Sequence, residues 1–108
     1  MIVLLARFRT KEGKEAEAQE AMRTMAQRVR DNEPGCLAYA CHRSFAEPSE
    51  IVWYEVYEDE AALGAHGSSE HMRAFRQRLP DIVDVTQIKL ERLERVEGFV
   101  RESLARAT

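Results

Sequence analysis

The chain has little cysteine, little proline and no long apolar run, and each shortage removes a class of protein. Two cysteines, Cys36 and Cys41, are too few for a disulfide scaffold. Placed five positions apart in one expected strand, they are predicted to point to opposite faces about 16 Å apart, a separation that no disulfide spans. Two reduced thiols are therefore expected. No apolar stretch approaches the roughly 20 residues that cross a bilayer, and the start MIVLLARFRT carries no small-residue cleavage site after its short apolar run. A cytoplasmic protein without a membrane partner is the expectation. A concentrated basic patch is also missing: the formal net charge is -3 with both signs interleaved, so nucleic acid is not an expected partner. The chain has no G-x-S-x-G elbow, Walker loop or Gly-rich dinucleotide fingerprint, and no cofactor is signalled. His66 and His71 lie five apart, without the i, i+4 spacing and glutamate of a zincin, which leaves no metal signature.

At 108 residues the chain suits one domain with a modest core. Residues 2 to 9 read as a strand, with Ile2, Leu4, Ala6 and Phe8 on one face and Val3, Leu5, Arg7 and Arg9 on the other. After the turn at Thr10 to Gly13, residues 14 to 30 read as a long helix with an apolar stripe of Ala18, Met22, Met25 and Val29. Pro34-Gly35 breaks the chain. Residues 36 to 45 then form a strand whose Cys36, Ala38 and Ala40 leave room for a partner's side chains or a substrate. Ala46 to Ser49 turns the chain into a second strand, residues 51 to 58, rich in β-branched and aromatic residues on both parities.

Asp59 is placed to cap a short helix that Gly67 closes just after His66, and Ser68 to cap a second helix carrying His71, Met72, Phe75 and Leu79. Pro80 is expected to end that second helix. Residues 85 to 92 read as a last strand, and Leu93, Val96, Val100 and Leu104 have the spacing of a further helix over 94 to 106. The expected architecture is α+β and ferredoxin-like, a four-stranded antiparallel sheet with helices on one face and an extra C-terminal helix. The domain proper covers residues 1 to 93, and residues 94 to 108 form the helical extension. An apolar sheet face left open calls for a second copy packed sheet to sheet.

The order of strand, capped short helix, A-H-x-x-S-x-H and amphipathic helix resembles the antibiotic biosynthesis monooxygenase family. YEVYEDEAALGAH followed by SSEHM carries most of the resemblance, with IVLLARFRTKEGKE and EPGCLAY in support. It spans about Met1 to Leu90 and implies a dimeric α/β barrel. Members of this family oxidise quinols, degrade heme or process a phosphorylated signalling sugar, so the resemblance leaves the reaction open. A cofactor-free monooxygenase acting with dioxygen on a quinol or polycyclic phenol is the leading expectation. Such a substrate, once deprotonated, gives an electron to dioxygen itself, and the protein supplies a base, an apolar cavity and exclusion of water. The candidate catalytic residues are His71, His66 and Glu55, with Arg7, Tyr39, Trp53, Tyr54 and Phe75 as candidate substrate contacts.

His66 falls in a last helical turn, which favours imidazolium, and His71 in a first turn, which favours the neutral ring. His66 is therefore expected to titrate above His71 unless burial overrides both dipoles, and His71 is the expected base. Both histidines also read as capping and packing residues, and Arg7 also reads as a rim residue or the partner of a carboxylate such as Glu55. A second reading is isomerase or degradative chemistry on a phosphorylated sugar, with Arg7 and Arg43 as phosphate binders. In a third, heme binding or degradation, Arg7, His66 and Arg76 stand where the resemblance implies an asparagine, a tryptophan and a ligating histidine. A dimeric module without catalysis is the fourth.

Overall fold

The computed structural model describes residues 1–101. Four strands and three helices follow in the order β1 (Ile2–Arg9), α1 (Glu15–Asn32), β2 (Cys36–Arg43), β3 (Glu50–Tyr57), α2 (Glu60–Ser68), α3 (Glu70–Ile82) and β4 (Lys89–Glu94). The sheet is antiparallel in the order β2-β3-β1-β4, so the two central strands are the first and third in sequence. This is the expected ferredoxin-like α+β fold. No helix among the described residues is long and apolar enough to cross a membrane.

One face of the sheet carries the core. Ala6 and Phe8 of β1 and Ile51 and Trp53 of β3 point toward the helices and meet Ala18, Met22, Met25 and Val29, the predicted stripe of α1. α3 adds Phe75, Leu79 and Ile82 at helical spacing, which fixes one side of that helix against the same cluster. Val3, Leu5 and Arg7, and opposite them Val56, Tyr54 and Val52, alternate onto the other face, away from both helices.

Four local expectations give way, each to a stronger constraint. α3 runs through Pro80 to Ile82. Ile82 is fully buried, and Val83 donates its amide to the Leu79 carbonyl, so packing continues the helix past a residue that cannot donate. α2 runs through Gly67 to Ser68, and Ser69 rather than Ser68 caps α3 by accepting the Met72 amide at 3.2 Å. Asp84 accepts from the Thr86 amide and folds Val85–Gln87 into a 3-10 turn, which delays the last strand to Lys89. The helix expected over 94 to 106 is not formed over 94 to 101. Glu94 pairs with Ile2 in the sheet, and Gly98 has a φ of 124°, outside the helical region. Residues 102 to 108 of that expectation lie outside the described residues.

A β-bulge corrects the placement of the cysteines. The register steps from Cys36 opposite Tyr57 to Ala38 opposite Val56, so Leu37 is the extra residue. The extra residue reverses the alternation, and Cys36, Tyr39 and Cys41 all fall on the helix-covered face. The thiols remain unpaired, about four strand positions or 13 Å apart.

The start of β2 approaches α2 closely. A Cβ built on Gly35 would lie 2.7 Å from the Ala62 Cβ, while the Gly35 carbonyl accepts the Glu58 amide at 2.9 Å. Gly35→Ala is expected to destabilise the fold by about 1–3 kcal/mol. Adding Ala62→Gly should recover part of that loss beyond additivity in a urea double-mutant cycle. Additive losses would show that the two backbones do not constrain each other.

Candidate functional site

The helix-covered end of β3 places two polar groups in an apolar setting. Glu55 and Tyr57 share the parity of Trp53, so all three side chains point toward the helices. Tyr57 donates its hydroxyl hydrogen to Glu55 Oε1 at 2.6 Å. A third group comes from α2. His66 sits in the last turn of that helix, where Ser69 holds its carbonyl with both its amide and its hydroxyl, and the imidazole is turned inward to 5 % exposure. It lies between two tilted phenol rings, Tyr39 at 5.4 Å and Tyr57 at 5.3 Å between centroids.

The group that joins these is Glu33, at the C-terminus of α1. Its amide continues the helical ladder to Val29, Pro34-Gly35 turns the chain, and the carboxylate is directed into the protein at 8 % exposure. His66 Nδ1 lies 3.1 and 3.0 Å from its two oxygens. His71 Nε2, from the first turn of α3, lies 2.5 Å from Glu33 Oε2. His66 Nε2 faces the other way, 3.9 Å from Glu55 Oε1. A carboxylate acceptor places the proton of His66 on Nδ1 and leaves Nε2 as a lone pair directed at the sheet.

Burial dominates the electrostatics. It raises Glu55 from an ordinary 4.5 to about 7; the Tyr57 hydrogen bond opposes the shift and the charge of Glu33 adds to it. Burial, with the nearby carboxylates, pushes the Tyr39 and Tyr57 hydroxyls upward and the Cys36 thiol to about 12. His66 moves downward because burial outweighs the attraction of Glu33. Burial thus outweighs the helix-end effect at His66, the exception that the expectation allowed. The one buried polar side-chain atom without a partner among the described residues is Trp53 Nε1, on a ring 1 % exposed and 4.5 Å from Tyr39.

His66, His71, Glu55, Tyr39 and Trp53 therefore converge, and Phe75 lies nearby, packed on Phe8 at 6.4 Å between centroids. Arg7 and Tyr54 do not join them. Both point to the open face, where Arg7 meets Glu50 at 3.4 Å and Tyr54 accepts from Arg95 at 2.5 Å. The expected Arg7–Glu55 pairing fails because Arg7 lies opposite Val52 and Glu55 opposite Leu4, on different faces. Arg43 bonds to Gln19 on the helix side, so Arg7 and Arg43 do not converge on one anion. Glu33 escaped sequence reasoning, and so did the bond of Tyr57 to Glu55. Glu33 stood in a breaker segment, with only its position one before Pro34-Gly35 to mark it, whereas Tyr57 was signalled by sharing Glu55's parity.

A four-stranded antiparallel sheet with helices on one face and an acid–imidazole cluster beneath them defines a ferredoxin-like α+β domain with an internal polar site. The chain belongs to the antibiotic biosynthesis monooxygenase family, whose model matches residues 1–78. A candidate antibiotic biosynthesis monooxygenase from Caulobacter crescentus superposes with a TM-score of 0.83 at 29 % identity, covering 89 % of this chain and 90 % of that one. Protein SO0527 from Shewanella oneidensis superposes at 0.77 and 29 % identity, with 85 % and 87 % covered. Rv0793 from Mycobacterium tuberculosis superposes at 0.81 with 22 % identity over 90 % and 96 %. A Synechocystis protein, sll1783, is 27 % identical over 82 residues, 76 % of this chain, and the match spans 55 % of that relative's length.

Glu55 links this site to stability. Its folded pKa lies above its unfolded value, so the favourable contribution is complete below pH 4.5 and is lost as pH rises through about 7. Glu55→Gln should therefore gain on the parent protein by on the order of 3 kcal/mol across that window. Urea midpoints at pH 4.5 and pH 8 measure the gain, and parallel pH profiles would show that Glu55 ionises as it does in water.

Proposed function

We propose that this protein is a cofactor-independent monooxygenase that oxidises a quinol or polycyclic phenol with dioxygen. The observation that carries this reading is the Glu33–His66 pair. A neutral imidazole, fixed through Nδ1 and presenting an unprotonated Nε2 to a dry aromatic interior, can act as a general base; burial keeps it neutral and the contact with Glu33 opposes that shift. This assignment moves the role of base from His71 to His66, because His71 Nε2 is already engaged with Glu33. Tyr39 and Trp53, packed on each other at 4.5 Å between centroids, are the aromatic contacts assigned to the substrate. The free indole N–H of Trp53 is the donor for the oxygen that acquires negative charge, and Glu55, close to its own pKa at neutrality, exchanges a proton with it.

The chemistry balances without a cofactor. His66 takes the phenolic proton, the phenolate passes one electron to dioxygen, the two radicals combine at carbon as a peroxide anion, and a proton returned from His66 Nε2 makes it a hydroperoxide. Loss of water leaves the second oxygen atom on the ring. For a simple hydroquinone the products are a hydroxyquinone and water. Membership of the family supports this reaction class.

A second copy is proposed to cover the open sheet face. Leu5, Ala38, Ala40, Val52 and Tyr54 are only half-buried there, and Leu93 is 40 % exposed, so an apolar surface lies ready for a self-complementary partner. Sedimentation should give twice the chain mass of 12.4 kDa, and Val52→Lys should halve it. A monomeric parent protein would rule the dimer out.

Oxygen uptake tests the reaction. A panel of hydroquinones and anthrone-like phenols should consume dioxygen without added flavin or metal, and His66→Gln should lower kcat by about 100-fold or more. A flat electrode trace over the whole panel rejects the activity. Full turnover by His66→Gln would return the role of base to another group.

A further inference from the structure

The site's polar groups form a line that runs from the buried end of the sheet to the surface, and the proposed reaction uses only its inner part. Tyr57 O–H to Glu55 is 2.6 Å, Glu55 Oε1 to His66 Nε2 is 3.9 Å, His66 Nδ1 to Glu33 Oε2 is 3.0 Å and Glu33 Oε2 to His71 Nε2 is 2.5 Å. Four elements supply them: β3, α2, the end of α1 and α3. Exposure rises along the line, with side chains of Glu55, His66 and Glu33 at 5 to 6 % and His71 at 10 %. His71 opens on a surface groove of about 290 Å³ between α1 and α3, whose floor is Ala21, Met25, Ala74 and Phe75.

We propose that Glu33 and His71 form a proton outlet that connects His66 Nε2 to solvent in the α1/α3 groove. This assignment rests on His66 being the base. Three features carry it. His66 is shut from water by Tyr39 and Tyr57, so a proton taken at Nε2 has no direct route out. Its opposite nitrogen already touches a carboxylate, the group best suited to accept from one imidazole and pass to another. The same carboxylate reaches one imidazole on the inside and one at the groove, within hydrogen-bond distance of both.

The transfer conserves protons and charge. One proton arrives on His66 Nε2, and the Nδ1 proton moves to Glu33. The proton shared between Glu33 Oε2 and His71 Nε2 settles on His71, whose Nδ1 releases one to water. One proton enters and one leaves; when the peroxide takes the Nε2 proton, the line runs in reverse from water through His71 and Glu33 to Nδ1, and both rings regain their starting tautomers. The charged and titratable groups facing His66 are Glu33 at the end of α1, Tyr39 from β2, Glu55 and Tyr57 from β3, and His71 and Arg76 from α3, with Cys36 beyond them against Glu33 and Glu55. Arg76 is tied to the Gly67 carbonyl at 2.6 Å and has no proton to relay at neutral pH. Glu33 and His71 act through His66 and are positioning residues.

The test uses two variants and two readouts. In nitrogen-15 histidine spectra of the full chain, exchange of the His66 Nδ1 proton with solvent should slow by about tenfold or more in Glu33→Gln and in His71→Gln. Glutamine keeps an acceptor beside Nδ1 but cannot take up a proton, so the His66 tautomer should persist. With a hydroquinone that the parent protein oxidises, both variants should lose turnover and recover part of it in millimolar imidazole, which His66→Gln should not. Unchanged or faster exchange in both variants overturns the outlet. If no phenol is oxidised, the proposed reaction falls and the exchange rates still decide the outlet. Near-ultraviolet circular dichroism checks that Glu33→Gln folds, and His71→Gln, at the groove surface, provides the independent arm.

Discussion

A carboxylate buried between two imidazoles is the contact on which the arrangement of the helices depends. Glu33 caps the C-terminus of α1, His66 stands in the last turn of α2 and His71 in the first turn of α3, so one carboxylate joins all three helices on the covered side of the sheet. Burying such a group is tolerable only while its oxygens are occupied, and a helix displaced from this junction leaves an acid without partners in an apolar setting. The constraint is directional as well as energetic. It sets which nitrogen of each ring carries a proton, and it thereby turns a packing arrangement into a chemical one.

The sheet supplies the other half of the arrangement. With β1 and β3 at its centre, the strand carrying Trp53, Glu55 and Tyr57 is flanked on both sides and cannot drift. The helices lie over one face alone. The polar site is built on that covered face, where water is scarce and ionisation is costly. On the opposite face, Arg7, Glu50, Tyr54 and Arg95 engage in ordinary partly exposed pairs. Two parities of β3 thus serve two purposes: Trp53, Glu55 and Tyr57 toward the helices meet a low dielectric, whereas Val52 and Tyr54 on the other face are only half-buried.

Most of this was legible in the sequence, for identifiable reasons. The α1 stripe of Ala18, Met22, Met25 and Val29 repeats with the helical period, and all four residues are buried as that period requires. Asp59 caps α2 through the Ala62 amide because an aspartate oxygen at that offset reaches little else. What was not legible depended on long-range contact. Glu33 resembles any acidic residue before a Pro-Gly turn, and only its meeting with His66, 33 positions on, and His71, 38 positions on, gives it a role. Pro80 was misread because local preference was weighed without the fully buried Ile82 beyond it. The bulge at Leu37 was invisible to alternation, since alternation assumes that no residue is skipped.

That bulge also decides what kind of sulfur stands beside the site. With the extra residue in place, Cys36 faces Tyr57 and the carboxylates, and Leu37 is turned outward at 52 % exposure. A thiol whose ionisation is pushed to about 12 is held as S–H, bonded to the Ala38 carbonyl at 3.4 Å. Thiolates, not thiols, attack peroxides, so this sulfur is shielded from the first rung of oxidation by the same dry surroundings that raise Glu55. The dry interior thus keeps the cysteine beside the acid–imidazole cluster intact by denying it a charge.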